Sequence, residues 1–324
     1  MALRTDLTKL LDLRHPIVLA PMGGAAGAAL AAAVSAAGGL GLIGGGYAER
    51  DWVARELAAA DFTQTGIGFI TWNLRGKEAL FEEALARRPR AVFLSFGDPA
   101  PYVPAVRAAG SRLICQVQTV EAALRAAELG AEVIVAQGTE AGGHGAARGT
   151  MALVPAVVDA VAPIPVLAAG GIGDGRGIAA ALMLGAQGAV IGTRFLATAE
   201  SLIHANAKAR IVAASGDRTI RTRVFDIVRG KDWPREFDGR ALRNAFTERW
   251  HGNEDGLARA LDAERPRFLA AQERGDVANG LIFAGEAVDL VHEVQPAARV
   301  VETLVSETLA ALRSASSLVS EETG

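Results

Sequence analysis

Short apolar runs rich in Val, Ile and Leu recur along this chain, each separated from the next by a longer stretch of helical character. That alternation is the pattern of parallel βαβ units, whose strands are buried on both faces and read as continuous hydrophobic runs. Eight such runs predict strands at Ile17–Ala20, Leu40–Ile43, Gly66–Ile70, Ala91–Leu94, Arg112–Gln116, Val133–Ala136, Pro165–Ala168 and Ala189–Ile191. Helices are expected between them, including the alanine-rich stretch 26–37, Gly76–Arg87, Pro101–Ala109, Val120–Leu129 and Arg176–Leu184. Gly38-Gly39, Gly110, Gly130 and Gly185 follow helical stretches, where a glycine takes the left-handed conformation that ends a helix. Eight strand–helix units in succession predict an α/β protein with a closed TIM (β/α)8 barrel.

After the eighth strand the pattern changes. Residues 198–280 are more charged and read as helices without convincing strands, so a smaller, mainly helical lid or substrate domain is expected over one barrel end. Residues 1–197 and 281–324 then make the barrel, with Leu281–Ser317 returning as amphipathic helix to its wall. The Ser/Glu tail after Arg313 is expected to fray.

Composition changes this picture little. Half of the 324 residues are hydrophobic, enough for a sizeable core, and a net charge of −3 gives no reason to expect nucleic acid or an anionic membrane as partner. The mild basic cluster from Arg218 to Arg235 alternates with Asp226, Asp232 and Glu236 and reads as a solvated face. A single cysteine, Cys115, sits in an apolar run and reads as a buried, inert thiol. The N-terminus lacks the apolar core of a signal peptide, and the stretch 25–43 is too glycine-interrupted for a membrane span, which makes the cytoplasm the default.

Candidate chemistry lies at one end of the predicted barrel. Loops leaving the C-terminal ends of the strands build the active site of this fold. Those loops carry Pro21-Met22-Gly23-Gly24, Gly44-Gly45-Gly46, Thr71-Trp72-Asn73, Ser95-Phe96-Gly97-Asp98, Gln116, Gln137 through Gly145, Ala169 through Gly175, and Gly192-Thr193-Arg194. The opposite loops are ordinary. The paired glycine loops after strands seven and eight suit a phosphate, since small residues bring backbone N–H groups close and a following helix adds its dipole. Asp174 is expected to cap that helix. Of the five histidines, only His144 falls in a glycine-lined loop at the mouth, a flexible setting from which a ring reaches a ligand. An ordinary pKa of about 6.5 suits it to proton transfer. No carboxylate–histidine set has metal-ligand spacing.

Four stretches carry a resemblance: Pro16–Met22, Val135–His144, Ala168–Gly173 and Gly192–Phe195, with Ala284-Gly285-Glu286 in matching order later. Together they resemble the nitronate monooxygenase family, formerly called 2-nitropropane dioxygenases. The resemblance implies non-covalent FMN in a barrel with a smaller helical domain, and His144 as catalytic base. His144 would take the proton from the carbon beside a nitro group, whereas a nitronate arrives deprotonated and gives its electron to FMN, from which it reaches O2. Carried over by position, Met22, Asn73 and Gln116 touch the ring or ribityl chain, and Gly142 and Gly143 line the flavin. Gly170, Gly171, Gly192 and Thr193 hold the phosphate, and Gln137 and Gly173 are assigned to the cofactor with them. The implied partners are a small nitronate or nitroalkane and O2, with a homodimer left open.

Two departures stand out. Gln116 occupies a position where some members carry lysine, and Glu286 stands where the late motif usually has glutamine. The same motifs occur in flavin-dependent enoyl-acyl-carrier-protein reductases and NADH:quinone reductases, so an NAD(P)H-dependent FMN reductase is the alternative activity. A non-catalytic flavin-binding protein and a flavin-free phosphate-binding barrel are further readings. His144 argues against the first, and the lack of a Lys or carboxylate pair at the strand ends against the second.

Overall fold

The computed structural model describes residues 3–318. The eight barrel strands are β1 (Ile17–Leu19), β2 (Gly41–Gly46), β3 (Thr65–Ile70), β4 (Ala91–Ser95), β5 (Arg112–Val117), β6 (Val133–Gln137), β8 (Val166–Ala169) and β9 (Ala189–Ile191). Strand β7 (Gly143–Gly145) lies outside this sheet. The eight pair in parallel in the order β1-β9-β8-β6-β5-β4-β3-β2, and a parallel bridge between Val18 and Leu40 joins the two ends. The arrangement is a TIM barrel. Each predicted strand is present: Ala189–Ile191 has the predicted bounds, six others shift by one residue at one or both ends, and β2 runs on through Gly44–Gly46.

Alternation along the strands builds two cores. Val18, Leu42, Phe93, Ile114, Val135, Leu167 and Val190 form a cluster that fills the barrel, with Leu7 and Leu11 from the N-terminal segment packed onto it. Ile17, Leu19, Ile43, Val92, Leu94, Ile134, Ala168 and Ile191 join the helices in the larger cluster outside it. Cys115 belongs to that outer layer, and burial pushes its thiol up to about 12, which makes it inert as a nucleophile at neutral pH. Gly110, Gly130 and Gly185 all take positive φ after their helices, as the sequence predicts.

The eighth helix comes late. β9 leads only into a short helix, Thr193–Leu196, and the chain then runs through residues 198–280 before the helix Ala297–Ser316 packs against Gly175–Met183 and Ala28–Ala36. Val300, Val301, Leu304 and Val305 are its buried face. This helix persists to Ser316, beyond Arg313, and residues 319–324 of the tail lie outside the described residues. Among the described residues no helix is long and apolar enough to cross a membrane.

The segment 198–280 is not free of strands. It contains the helices Ala205–Val212, Val224–Arg229, Ala245–Trp250, Glu254–Arg259 and Leu261–Glu273, and also β10 (Thr219–Thr222) and β11 (Asp238–Leu242). These pair antiparallel with each other and with β7, in the order β10-β11-β7. Their sequences hide them because arginines replace the usual apolar alternation. Arg221 is held by Asp238, 2.5 Å away, and Arg240 by Glu286, 2.9 Å away.

Candidate active site

A cavity of about 960 Å³ opens at the C-terminal ends of the barrel strands, between them and the segment 198–280. That is at the upper end of the range of about 300–1,000 Å³ for ligand sites, enough for a cofactor with a substrate beside it. His144 lines it. The histidine stands on β7, its backbone paired with Gly239 of β11, so it is held by a sheet and not by a flexible loop.

Its side chain is fixed on three sides. Nε2 lies 2.9 Å from Asp226 Oδ2, with both side chains almost wholly buried. The indole of Trp233 stacks on the imidazole, centroids 3.5 Å apart and planes within 5°. Phe96 and Phe283 meet the ring edge-on. Arg229 Nη2 lies 2.9 Å from the other oxygen of Asp226. Burial holds the His144 pKa below its ordinary value although Asp226 pulls it up, and Arg229 and Arg221 add to the lowering. The imidazole is therefore neutral at pH 7.

Around this group runs an aromatic wall of Tyr47, Phe96, Trp233 and Phe283, all lining the cavity. The Tyr47 hydroxyl accepts a hydrogen bond from Trp233 Nε1 at 2.7 Å and another from Arg229 Nη2 at 3.3 Å. Phe96 holds a left-handed backbone (φ +61°), an uncommon state for a non-glycine residue and one that clusters at functional sites.

Opposite lies the glycine cradle. Gly170 and Gly171, with φ of +97° and +70°, and Gly192 and Thr193 all line the cavity. The Thr193 hydroxyl accepts from Gly285 N at 2.9 Å, which leaves its own proton to donate to an anion. Met22, Gln116, Gln137, Gly142 and Gly143 line the space between cradle and histidine. Gln137 Oε1 accepts from Gln116 Nε2 at 3.1 Å and Gln118 Nε2 at 2.9 Å, leaving the Gln137 amide donors for a ligand. These groups fit a flavin phosphate and ring system: open backbone, a free hydroxyl donor and neutral amides beside apolar walls.

Two predicted residues fall outside the cavity lining. The Asn73 amide donates to the Tyr47 carbonyl, so it braces the loop that presents Tyr47. Gly173 is turned toward the Ala287 carbonyl and the Leu290 side chain. The expected dipole of the helix Gly175–Met183 is also taken: Asp174 accepts from Arg176 N and Gly177 N, and Glu307 accepts from Gly175 N. The Asp174 cap is as predicted, and it leaves the backbone N–H groups of Gly175, Arg176 and Gly177 already satisfied by carboxylates.

The residues that sequence reasoning missed are Asp226, Arg229, Trp233 and Tyr47. The ends of the basic cluster do face solvent, as Arg218, Asp232, Arg235 and Glu236 show, but Asp226 is 2% exposed. A signal existed in Val224-Phe225-Asp226-Ile227-Val228, a lone carboxylate inside an apolar run. Such a group is buried only when paired.

Comparisons with known proteins place the chain in a family. The family model described as nitronate monooxygenase matches residues 4–69 and 71–307. The chain is 36% identical over 338 residues to the nitronate monooxygenase npaC of Metarhizium robertsii, covering 93% of each chain. It is 32% identical to a Mycobacterium tuberculosis protein named (3aS,4S,5R,7aS)-5-hydroxy-7a-methyl-1-oxo-octahydro-1H-indene-4-carboxyl-CoA dehydrogenase, covering 98% of this chain and 100% of that one. The structure of FabK from Thermotoga maritima superposes with a TM-score of 0.84 at 31% identity, covering 98% of this chain and 100% of that one. The chain belongs to the nitronate monooxygenase family and is a flavin-dependent oxidoreductase on a TIM barrel.

Proposed function

We propose that this enzyme oxidises alkyl nitronates and nitroalkanes with O2, using non-covalent FMN, to a carbonyl compound and nitrite. The observation that carries the reading is His144: a buried, neutral imidazole in an aromatic-walled cavity facing a glycine cradle. A nitro group acidifies the adjacent C–H, so a neutral imidazole is a base of sufficient strength to remove that proton.

FMN is the flavin proposed because the paired loops offer one phosphate cradle, made by Gly170, Gly171, Gly192 and Thr193. Met22, Gln116, Gln137, Gly142 and Gly143 would hold its ring and ribityl chain. When bound, the flavin supplies the electron acceptor that passes reducing equivalents to O2. The chain's residues do the rest. Trp233, Phe96 and Phe283 keep water from the reacting carbon, Tyr47 closes the wall, and His144 takes the proton.

A second reading is favoured by the relatives named as a CoA-thioester dehydrogenase and as FabK: a flavin-dependent reductase fed by NADH or NADPH. An anaerobic visible spectrum of the purified protein, before and after excess NADH or NADPH, separates the two. Flavin colour that persists, with nitrite released from ethyl nitronate in air, is the expected outcome. Rapid bleaching without nitrite release would move the assignment to the reductase.

A further inference from the structure

We propose that Asp226 is the positioning residue of this site: it holds His144 as the Nε2–H tautomer, so that Nδ1 presents the lone pair that accepts a proton. The proposal rests on the reading of His144 as the base.

The geometry leads there in three steps. An ionised carboxylate only accepts hydrogen bonds, so the proton shared across the 2.9 Å contact between His144 Nε2 and Asp226 Oδ2 sits on Nε2. Arg229, 2.9 Å from Oδ1, supplies the counter-charge that a nearly fully buried carboxylate needs. Among the described residues Nδ1 has no hydrogen-bond partner, while Trp233 fixes the ring plane. Turning the ring over about Cβ–Cγ would put Cε1 where Nε2 stands and leave Asp226 Oδ2 without its partner in an apolar shell, which the burial of that pair opposes. Proton transfer then breaks the substrate C–H bond and forms Nδ1–H. The electron pair delocalises into the nitro group, and the imidazolium faces Asp226 through Nε2–H.

The two partners come from different parts of the chain. His144 lies on β7 in the loop after β6, and Asp226 lies on the helix Val224–Arg229 within the segment 198–280. A carboxylate kept only to pair with Arg229, three residues along the same helix, has no need of the histidine. The tautomer is what distinguishes a positioning role from a structural one.

The test is a long-range proton–nitrogen NMR spectrum of the holoenzyme with 15N-labelled histidine. There are five histidines, and His144 is assigned by its loss in His144→Ala. A pyrrole-type Nε2 and a pyridine-type Nδ1 are expected; the reverse overturns the proposal whatever the enzyme turns over. In Asp226→Asn, Arg229 keeps the side-chain oxygen and turns the amide N–H toward Nε2, which moves the proton to Nδ1. Turnover of neutral nitroethane should then fall by about 10²–10⁴-fold, the range for loss of a general base, while preformed ethyl nitronate is oxidised at close to the wild-type rate. Undiminished nitroethane turnover in Asp226→Asn would overturn the proposal as well. If the variant does not fold, the wild-type spectrum decides alone. If the wild-type enzyme oxidises neither compound, the functional reading fails, and the tautomer is still measured.

Discussion

A charged imidazole at position 144 would lose more hydration than one carboxylate restores, and for that reason burial outweighs Asp226 in setting its pKa. The direction has a kinetic consequence. A base must be deprotonated to act, so kcat/KM for a neutral nitroalkane should be flat above pH 7. It should drop only below the ordinary histidine value of about 6.5. A profile still rising between pH 7 and 8 would contradict a lowered pKa. Stability follows the same sign: below about 6.5 the unfolded chain binds a proton that the folded His144 refuses, so folding weakens as pH falls there. His144→Ala should keep its flavin and lose neutral-nitroalkane turnover by about 10²–10⁴-fold, with nitronate oxidation affected less. Steady-state kinetics on the paired substrates checks both statements.

At the scale of elements, the barrel strands were legible because burial on both faces leaves no room for polar residues in runs such as Val133 to Ala136. The three-stranded sheet was not. Gly-His-Gly has no period to read, and Thr219–Thr222 and Asp238–Leu242 each carry an arginine whose ion pair is made by a residue distant in sequence. The glycine loops pointed to the barrel end where the cavity opens, but not to Trp233 and Asp226, 80 or more residues onward, as the neighbours of the histidine, since that needs the fold itself. One glycine on the approach to β7 is predicted to be intolerant of change. A Cβ on Gly142 would lie 2.6 Å from Gly285 N and 2.7 Å from the Ala284 carbonyl carbon, and backbone cannot swing aside. Gly142→Ala should cost about 1–3 kcal/mol by overpacking. It should also weaken flavin binding, because the displaced segment lines the cavity. Urea denaturation and flavin fluorescence titration would show both, and wild-type values in the two assays would refute the contact.

For the whole molecule, the decisive arrangement is how the segment 198–280 is attached. Thr198 and Gln295 form a parallel bridge, with Ala199 N donating to the Gln295 carbonyl and Gln295 N to the Ala197 carbonyl. Departure and return are stitched together at one point on the barrel rim, immediately before the helix Ala297–Ser316 completes the ring. We propose that the stretch between, residues 199–294, moves as an appendage on this clasp, although its β11 pairs with β7 of the loop after β6. Loosening it need not open the barrel, so the two halves of the chemistry should differ in durability. The proposed phosphate cradle belongs to the rim, whereas the proposed base, His144, is paired with Asp226 and stacked on Trp233 in the appendage. In rising urea, neutral-nitroalkane turnover should vanish at a lower concentration than the one that releases the flavin; coincident midpoints would show that rim and appendage melt as one. On the proposed function, such an enzyme would go blind to neutral nitroalkanes while still coloured, and new substrate preferences could be explored in the appendage with the flavin site left in place.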